Sequence, residues 1–243
     1  MIDPMSAWGL RGILFITGTG TDVGKTIVTA AVAALAADAG HSVAVVKVAQ
    51  TGVPDGPDSG PSDLETVTRL AGVTDTHELN RYPDPLSPEA AARVSGRPAV
   101  DLGHAKKIIE DLSVTRDLVL VEGAGGLLVR YTADGATIAE LAESLDAPAL
   151  VVVAAGLGTL NHTALTLEAM RERGLARAGV FIGSWPRDPG LADRENLADL
   201  RTLAGGPLAG RLPAGSGELT AAEFLAVARA GLARSLGGSQ SHT

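Results

Sequence analysis

The 243-residue chain predicts an α/β fold, a single domain built on a mostly parallel sheet with helices on both faces, and two observations carry that reading. Short runs rich in Val, Ile and Leu recur at residues 13–16, 43–48, 118–121, 150–153 and 180–182. Each is too uniformly apolar for a half-exposed strand and suits a parallel strand covered on both sides. Between them lie helix-like segments at residues 25–38, 105–112, 160–173 and 221–235, closed by glycines such as Gly40, Gly174 and Gly237. Strand-helix alternation of this kind builds a doubly wound layer.

Taken in order, residues 1–11 read as an N-terminal extension, with a second methionine at Met5 marking residues 1–4 as a candidate non-native leader. Residues 12–236 form the domain, and 237–243 read as a polar tail that frays. The stretch 54–98 holds seven of the thirteen prolines and is expected to lay loops and short helices over one sheet edge instead of extending the regular winding. The terminal helix, residues 219–236, is amphipathic, but Glu218 and Glu223 stand beside Arg229 and Arg234, so core packing explains it better than a membrane surface.

Composition excludes several functions. Lys and Arg total 20 against 28 Asp and Glu, a net charge of −8, which argues against nucleic acid as a partner. Cys is absent, removing disulfides, zinc-thiolate sites and cysteine nucleophiles, including a cysteine-type glutaminase. The longest apolar run, residues 147–155, is strand-sized and contains Pro148, so no membrane span is expected and the cytoplasm is the expected location.

The chemistry concentrates at the ends of the apolar runs. After the first comes Gly18-Thr19-Gly20-Thr21-Asp22-Val23-Gly24-Lys25-Thr26, a phosphate loop with five residues between Gly18 and Gly24 where the strict pattern has four. Its backbone N–H groups and the helix N-terminus suit phosphate, Lys25 supplies a mobile charge, and Thr26 a hydroxyl for magnesium. The predicted fold is therefore P-loop NTPase-like. The second run ends Lys47-Val48-Ala49-Gln50-Thr51-Gly52; Lys47 emerges where ligands bind if its strand neighbours the first, or else snorkels at a strand end. The third ends at Glu122, before Gly123-Ala124-Gly125-Gly126, and a carboxylate there suits magnesium or caps a tight turn. Asp63, in Ser62-Asp63-Leu64-Glu65, reads as a helix cap on its own. Gly156-Leu157-Gly158-Thr159-Leu160-Asn161-His162 opens a helix whose N–H groups could hold a carboxylate, or whose Thr159 or Asn161 caps it; His162 is a general base or a structural residue.

Together with residues 179–186, these motifs resemble the dethiobiotin synthetase family over residues 12–236. The resemblance implies a homodimeric, Mg²⁺-dependent enzyme of biotin synthesis. Such an enzyme joins CO₂ to 7,8-diaminononanoate with ATP, giving dethiobiotin, ADP and phosphate through a carbamate and a carbamic-phosphoric anhydride. It assigns Lys47 and Lys25 to catalysis, Thr26, Asp63 and Glu122 to the metal, and Thr51 and Asn161 to substrate, Asn161 acting across the dimer. Nucleotide contacts are implied for Asp22, Val23, Gly24, Lys25, Thr26, Ile27, Asp63, Glu122, Gly123, Ala124 and Gly125. They are implied too for Gly183, Ser184, Pro213, Ala214 and Gly215. One departure stands out: where many members carry an Asn that reads the adenine edge after the fifth strand, this chain has Gly183-Ser184. Neither residue reproduces a carboxamide's paired donor and acceptor, so base selection is expected to be permissive, with residues 213–215 lining the base through backbone groups. Two rivals remain at this level, a nucleotide switch that binds a membrane or partner and an amidotransferase-type synthetase; the mixed charges of the last helix oppose the first, and the absent Cys and second domain oppose the other.

Overall fold

The computed structural model describes residues 11–54, 56 and 60–240. Its strands are β1 (Gly12–Gly18), β2 (Val43–Lys47), β3 (Gln50–Thr51), β4 (Thr76–Glu78), β5 (Arg81–Tyr82), β6 (Leu118–Glu122), β7 (Ala149–Val153), β8 (Arg177–Trp185) and β9 (Gly210–Pro213). Seven form one sheet in the order β4-β2-β6-β1-β7-β8-β9, every neighbouring pair parallel, while β3 and β5 pair separately. The helices are α1 (Lys25–Asp38), α2 (Asp63–Ala71), α3 (Pro88–Ser95), α4 (Leu102–Thr115), α5 (Ile138–Ser144), α6 (Thr159–Glu172), α7 (Leu191–Ala204) and α8 (Ala221–Gly231).

The uniform apolarity of the strands follows from a core on each side. Side chains alternate along a strand, so Phe15, Val119, Val121 and Val151 join one core, with α3 through α7, while Ile16, Leu118, Leu120 and Leu150 join the other, with α1, α2 and α8. The Ala-rich α1 lies between the sheet and α2 and α8, and its residues 28–36 are at most 4% exposed. Small side chains let that helix approach the sheet closely, which seats the loop at its N-terminus against the strand ends.

Several expectations need correction. The condition left open for Lys47, that β2 neighbours β1, is not met: β6 lies between them, pairing Glu122 with Ile16 on one side and with Lys47 on the other. The proline-rich stretch does extend the sheet, because β4 adds an edge strand to β2. α4 runs from Leu102 rather than 105, since Asp101 caps it by accepting from the His104 N–H. The last helix stops at Gly231, because Leu232 turns extended and bridges Gly210 at the end of the sheet. Its apolar face is turned inward, with Phe224 and Ala228 fully buried. Within the expected tail, the Gln240 N–H donates to the Leu232 carbonyl. Residues 1–10, with the candidate leader, and 241–243 lie outside the described residues. No described helix is long and apolar enough to cross a membrane.

Candidate active site

The phosphate loop joins β1 to α1. Gly24 precedes the helix at φ 95°, a left-handed conformation that favours glycine, and no side chain caps the helix N-terminus. Beneath it lies Gly183 of β8. A β-carbon at position 24 would stand 2.8 Å from the Gly183 carbonyl oxygen, and one at position 183 only 2.0 Å from that of Val23. Two glycines thus let β8 run directly under the loop. The Lys25 ammonium folds back to donate to the Gly20 carbonyl at 2.8 Å.

Register delivers the next groups. Lys47 and Glu122 end adjacent parallel strands as paired residues, and Lys47 Nζ lies 2.8 Å from Glu122 Oε1. On its other side the ammonium meets Asp63 Oδ2 at 2.5 Å. Asp63 begins α2, but Ser62 is the cap, its hydroxyl accepting from the Glu65 N–H while Glu65 returns a bond to the Ser62 N–H. That capping box leaves the Asp63 carboxylate for Lys47, and the Gln50 carboxamide oxygen holds the Asp63 N–H at 3.1 Å. The fully buried Glu122 accepts from Thr26 and Lys47 on Oε1 and from Thr29 on Oε2, each at 2.8 Å.

Burial opposes charge on Lys47, yet Glu122 and Asp63 more than offset it and hold its pKa above the ordinary lysine value. Burial likewise pushes Asp63 up, but Lys47 pulls its carboxyl below the usual range. Lys25 is lowered, first by burial and then by the Lys47 charge. The cluster thus rests as one ammonium between two carboxylates, beside a second, less basic ammonium.

These groups share a cavity of about 830 Å³ lined also by Thr21, Asp22, Gly24, Ile27, Thr51, Ala124 and Gly125. The segments 49–52 and 85–88 and Val129 complete its wall. No three acidic, His or Cys side chains among the described residues form a metal cage. One hydroxyl and two carboxylates nonetheless fit Mg²⁺, which takes a few protein oxygens and fills its shell from phosphates and water.

The protein family described as an AAA domain matches residues 13–217. ATP-dependent dethiobiotin synthetase BioD of Frankia casuarinae is 63% identical over 229 residues, covering 93% of this chain and 94% of the relative. That of Streptomyces coelicolor is 54% identical over 227 residues, with coverage of 93% and 94%. The chain belongs to the dethiobiotin synthetase family. Among solved structures it is similar to the septum site-determining protein MinD of Pyrococcus horikoshii, with a TM-score of 0.56, 16% identity, and 93% and 94% of the two chains covered. A ParA family ATPase of Chlorobium tepidum gives 0.55 at 13% identity, with 89% and 91% covered; both likenesses concern the fold.

Not every residue expected of a dethiobiotin synthetase meets at this cavity. Lys25, Thr26, Lys47, Thr51, Asp63 and Glu122 do; Gly183, Ser184, Pro213, Ala214, Gly215 and Asn161 do not line it. Val23 and Gly123 stand just behind, Val23 over Gly183 and Gly123 offering its carbonyl to Lys47 Nζ at 3.3 Å. Gly183 and Ser184 belong to β8 itself rather than to a loop after it, Gly183 buried and Ser184 exposed. Residues 213–215 form a neighbouring shelf, tied to β8 by the bond from the Ala214 N–H to the Trp185 carbonyl. Neither Thr159 nor Asn161 caps α6: Gly158 is the cap, Thr159 donates to the Ala154 carbonyl, and Asn161 and His162 are exposed.

Three groups escaped sequence reasoning. Gln50 sets Asp63, Thr29 bonds Glu122, and the buried Tyr131 hydroxyl accepts from the Ala124 N–H at 2.5 Å. Only Thr29, three residues after Thr26 and so on the same helix face, carried a local signal.

Proposed function

We propose that this chain closes the ureido ring of dethiobiotin from 7,8-diaminononanoate, CO₂ and ATP in a Mg²⁺-dependent reaction. The observation that carries this reading is the Lys47 ammonium set between Asp63 and Glu122 in the cavity that the phosphate loop and Thr51 share. A carbamate is a second anion beside the triphosphate, and Lys47 supplies a cation for it in addition to Lys25.

One amine of the substrate attacks CO₂ and sheds a proton, giving a carbamate whose charge Lys47 and Lys25 stabilise. A carbamate oxygen attacks the γ phosphorus, the bond to the β,γ-bridging oxygen breaks, and ADP leaves. The second amine attacks the carbonyl carbon of the anhydride, expels phosphate and loses its proton, closing the five-membered urea. Thr51 on β3 orients the diamine for this attack. Thr26, Asp63 and Glu122 would hold Mg²⁺, which when bound neutralises phosphate charge. Exposed Leu165, one turn after Asn161 on α6, and exposed Leu157 in the loop before that helix support a homodimer in which Asn161 meets the substrate's carboxylate end from the partner.

The test is incubation with 7,8-diaminononanoate, bicarbonate, Mg²⁺ and ATP, reading dethiobiotin by mass and ADP by coupled assay. Stoichiometric dethiobiotin and ADP are expected; ADP without dethiobiotin would sink the reading. Repeating it with CTP, GTP and UTP checks base selection. Each should support product, since Gly183 has no side chain and the shelf at 213–215 faces the base with backbone groups. Three inert triphosphates would show that another residue reads adenine.

A further inference from the structure

Glu122 has its two oxygens in different surroundings. Oε1 faces the cavity and already accepts from Thr26 Oγ1 and Lys47 Nζ. Oε2 is turned beneath α1, where the fully buried Thr29 hydroxyl donates to it at 2.8 Å. That hydroxyl has one proton and a second acceptor in reach, the Lys25 carbonyl at 3.0 Å, the usual partner of a mid-helix threonine. The ionised carboxylate is the stronger acceptor of the two.

We propose that Thr29 is a positioning residue that locks the Glu122 carboxylate with Oε1 toward the cavity, so that Glu122 meets the nucleotide and its metal in a single orientation. The inference rests on the reading of Glu122 as a metal-side carboxylate. The spacing enforces the division of labour: residues 26 and 29 lie one above the other on α1, and their hydroxyls reach opposite oxygens of one carboxylate. When a triphosphate and its cation draw Thr26 and Lys47 to new partners, the donation from Thr29 stays, because it comes from the core side. Without it, a buried oxygen of an anion loses its donor, and the carboxylate turns to recover one from the cavity.

Calorimetric titration of ATP into wild type, Thr29→Val and Thr29→Ser across a Mg²⁺ series tests this without turnover. Val keeps the shape and removes the hydroxyl, whereas Ser keeps it. In Thr29→Val the Mg²⁺ concentration for half-maximal ATP binding should rise about tenfold, as for other residues that orient a metal ligand, while metal-free ATP binding changes by less than about twofold. Thr29→Ser should follow wild type. The proposal fails if Val follows wild type, if Ser shifts as far as Val, which would assign the effect to packing of the methyl group, or if wild-type ATP binding ignores Mg²⁺. Thr29→Ala, measured alongside, adds no bulk and reads the same loss should Val not fold. A dethiobiotin assay on the wild-type preparation separates the two readings: absent product overturns the reaction, while the comparison of Mg²⁺ midpoints still decides Thr29.

Discussion

Lys47 is only 4% exposed at its side chain, with Glu122 at 1% and Asp63 at 30%, so removing the cation strands one fully buried carboxylate beside a second. Breaking a buried pair by deleting one partner costs about 3–5 kcal/mol. Lys47→Met should therefore lose stability on that scale in urea unfolding without metal, recover part of it on addition of Mg²⁺, and lower kcat at least about 10²-fold. Unfolding midpoints equal to wild type in metal-free buffer would contradict the pairing. The sign with pH is set by the shifts. Asp63 titrates below its ordinary 3.8, so its contribution is present above that value and disappears as pH falls through the lower folded-state value. Lys47 titrates above its ordinary 10.5, so its contribution is complete below that and disappears only as pH rises further. Stability from this cluster should stay flat across neutral pH and decline on the acid side, with a shallower acid slope in Asp63→Asn. At this scale the sequence left Asp63 open between cap and ligand; the structure separates the roles, since Ser62 and Glu65 cap the helix and Asp63 faces Lys47.

Among the elements, β8 departs furthest from expectation. The apolar run 180–182 marks only its centre, and the strand continues to Trp185, whose ring has the Arg211 guanidinium 4.5 Å above it. That extension slides Gly183 under the phosphate loop. Gly183→Ala would set a β-carbon 2.0 Å from a backbone oxygen of Val23, and crowding of this kind costs about 1–3 kcal/mol. The strain falls on the loop, so ATP affinity by calorimetry should drop along with the melting temperature. Unchanged affinity would show that the loop gives way freely. The same contact explains why an Asn at position 183 has no room here, whatever base the site takes.

For the whole molecule the decisive question is whether one chain makes a complete site. Asn161 is exposed on α6 and does not line the cavity that holds Lys47, and the homodimer proposed above would bring the two together from separate copies. Inactive Lys47→Ala and Asn161→Ala chains, mixed and allowed to exchange, should regain up to about one quarter of wild-type turnover, because mixed dimers are half the population and keep one intact site of two. No recovery, with exchange verified by mass, would put Asn161 in the same chain's site or outside it altogether.

The sequence by itself determined the five central strands, α1 and the phosphate loop, because uniform apolar runs and a Gly-Lys-Thr turn are local signals that need no partner to be read. It also set Lys47 and Glu122 at strand ends, where ligands meet α/β sheets. Only the tertiary structure decided which of those ends touch. Parallel strands meet through long crossovers, so nothing in residues 43–48 says that β6, 75 positions on, stands between them and β1. The same holds for β4 at the sheet edge, for Thr29 reaching 93 residues to Glu122, and for the close passage of Gly183 beneath Gly24. Each depends on packing between segments distant in the chain, and local composition carries no record of distance in space.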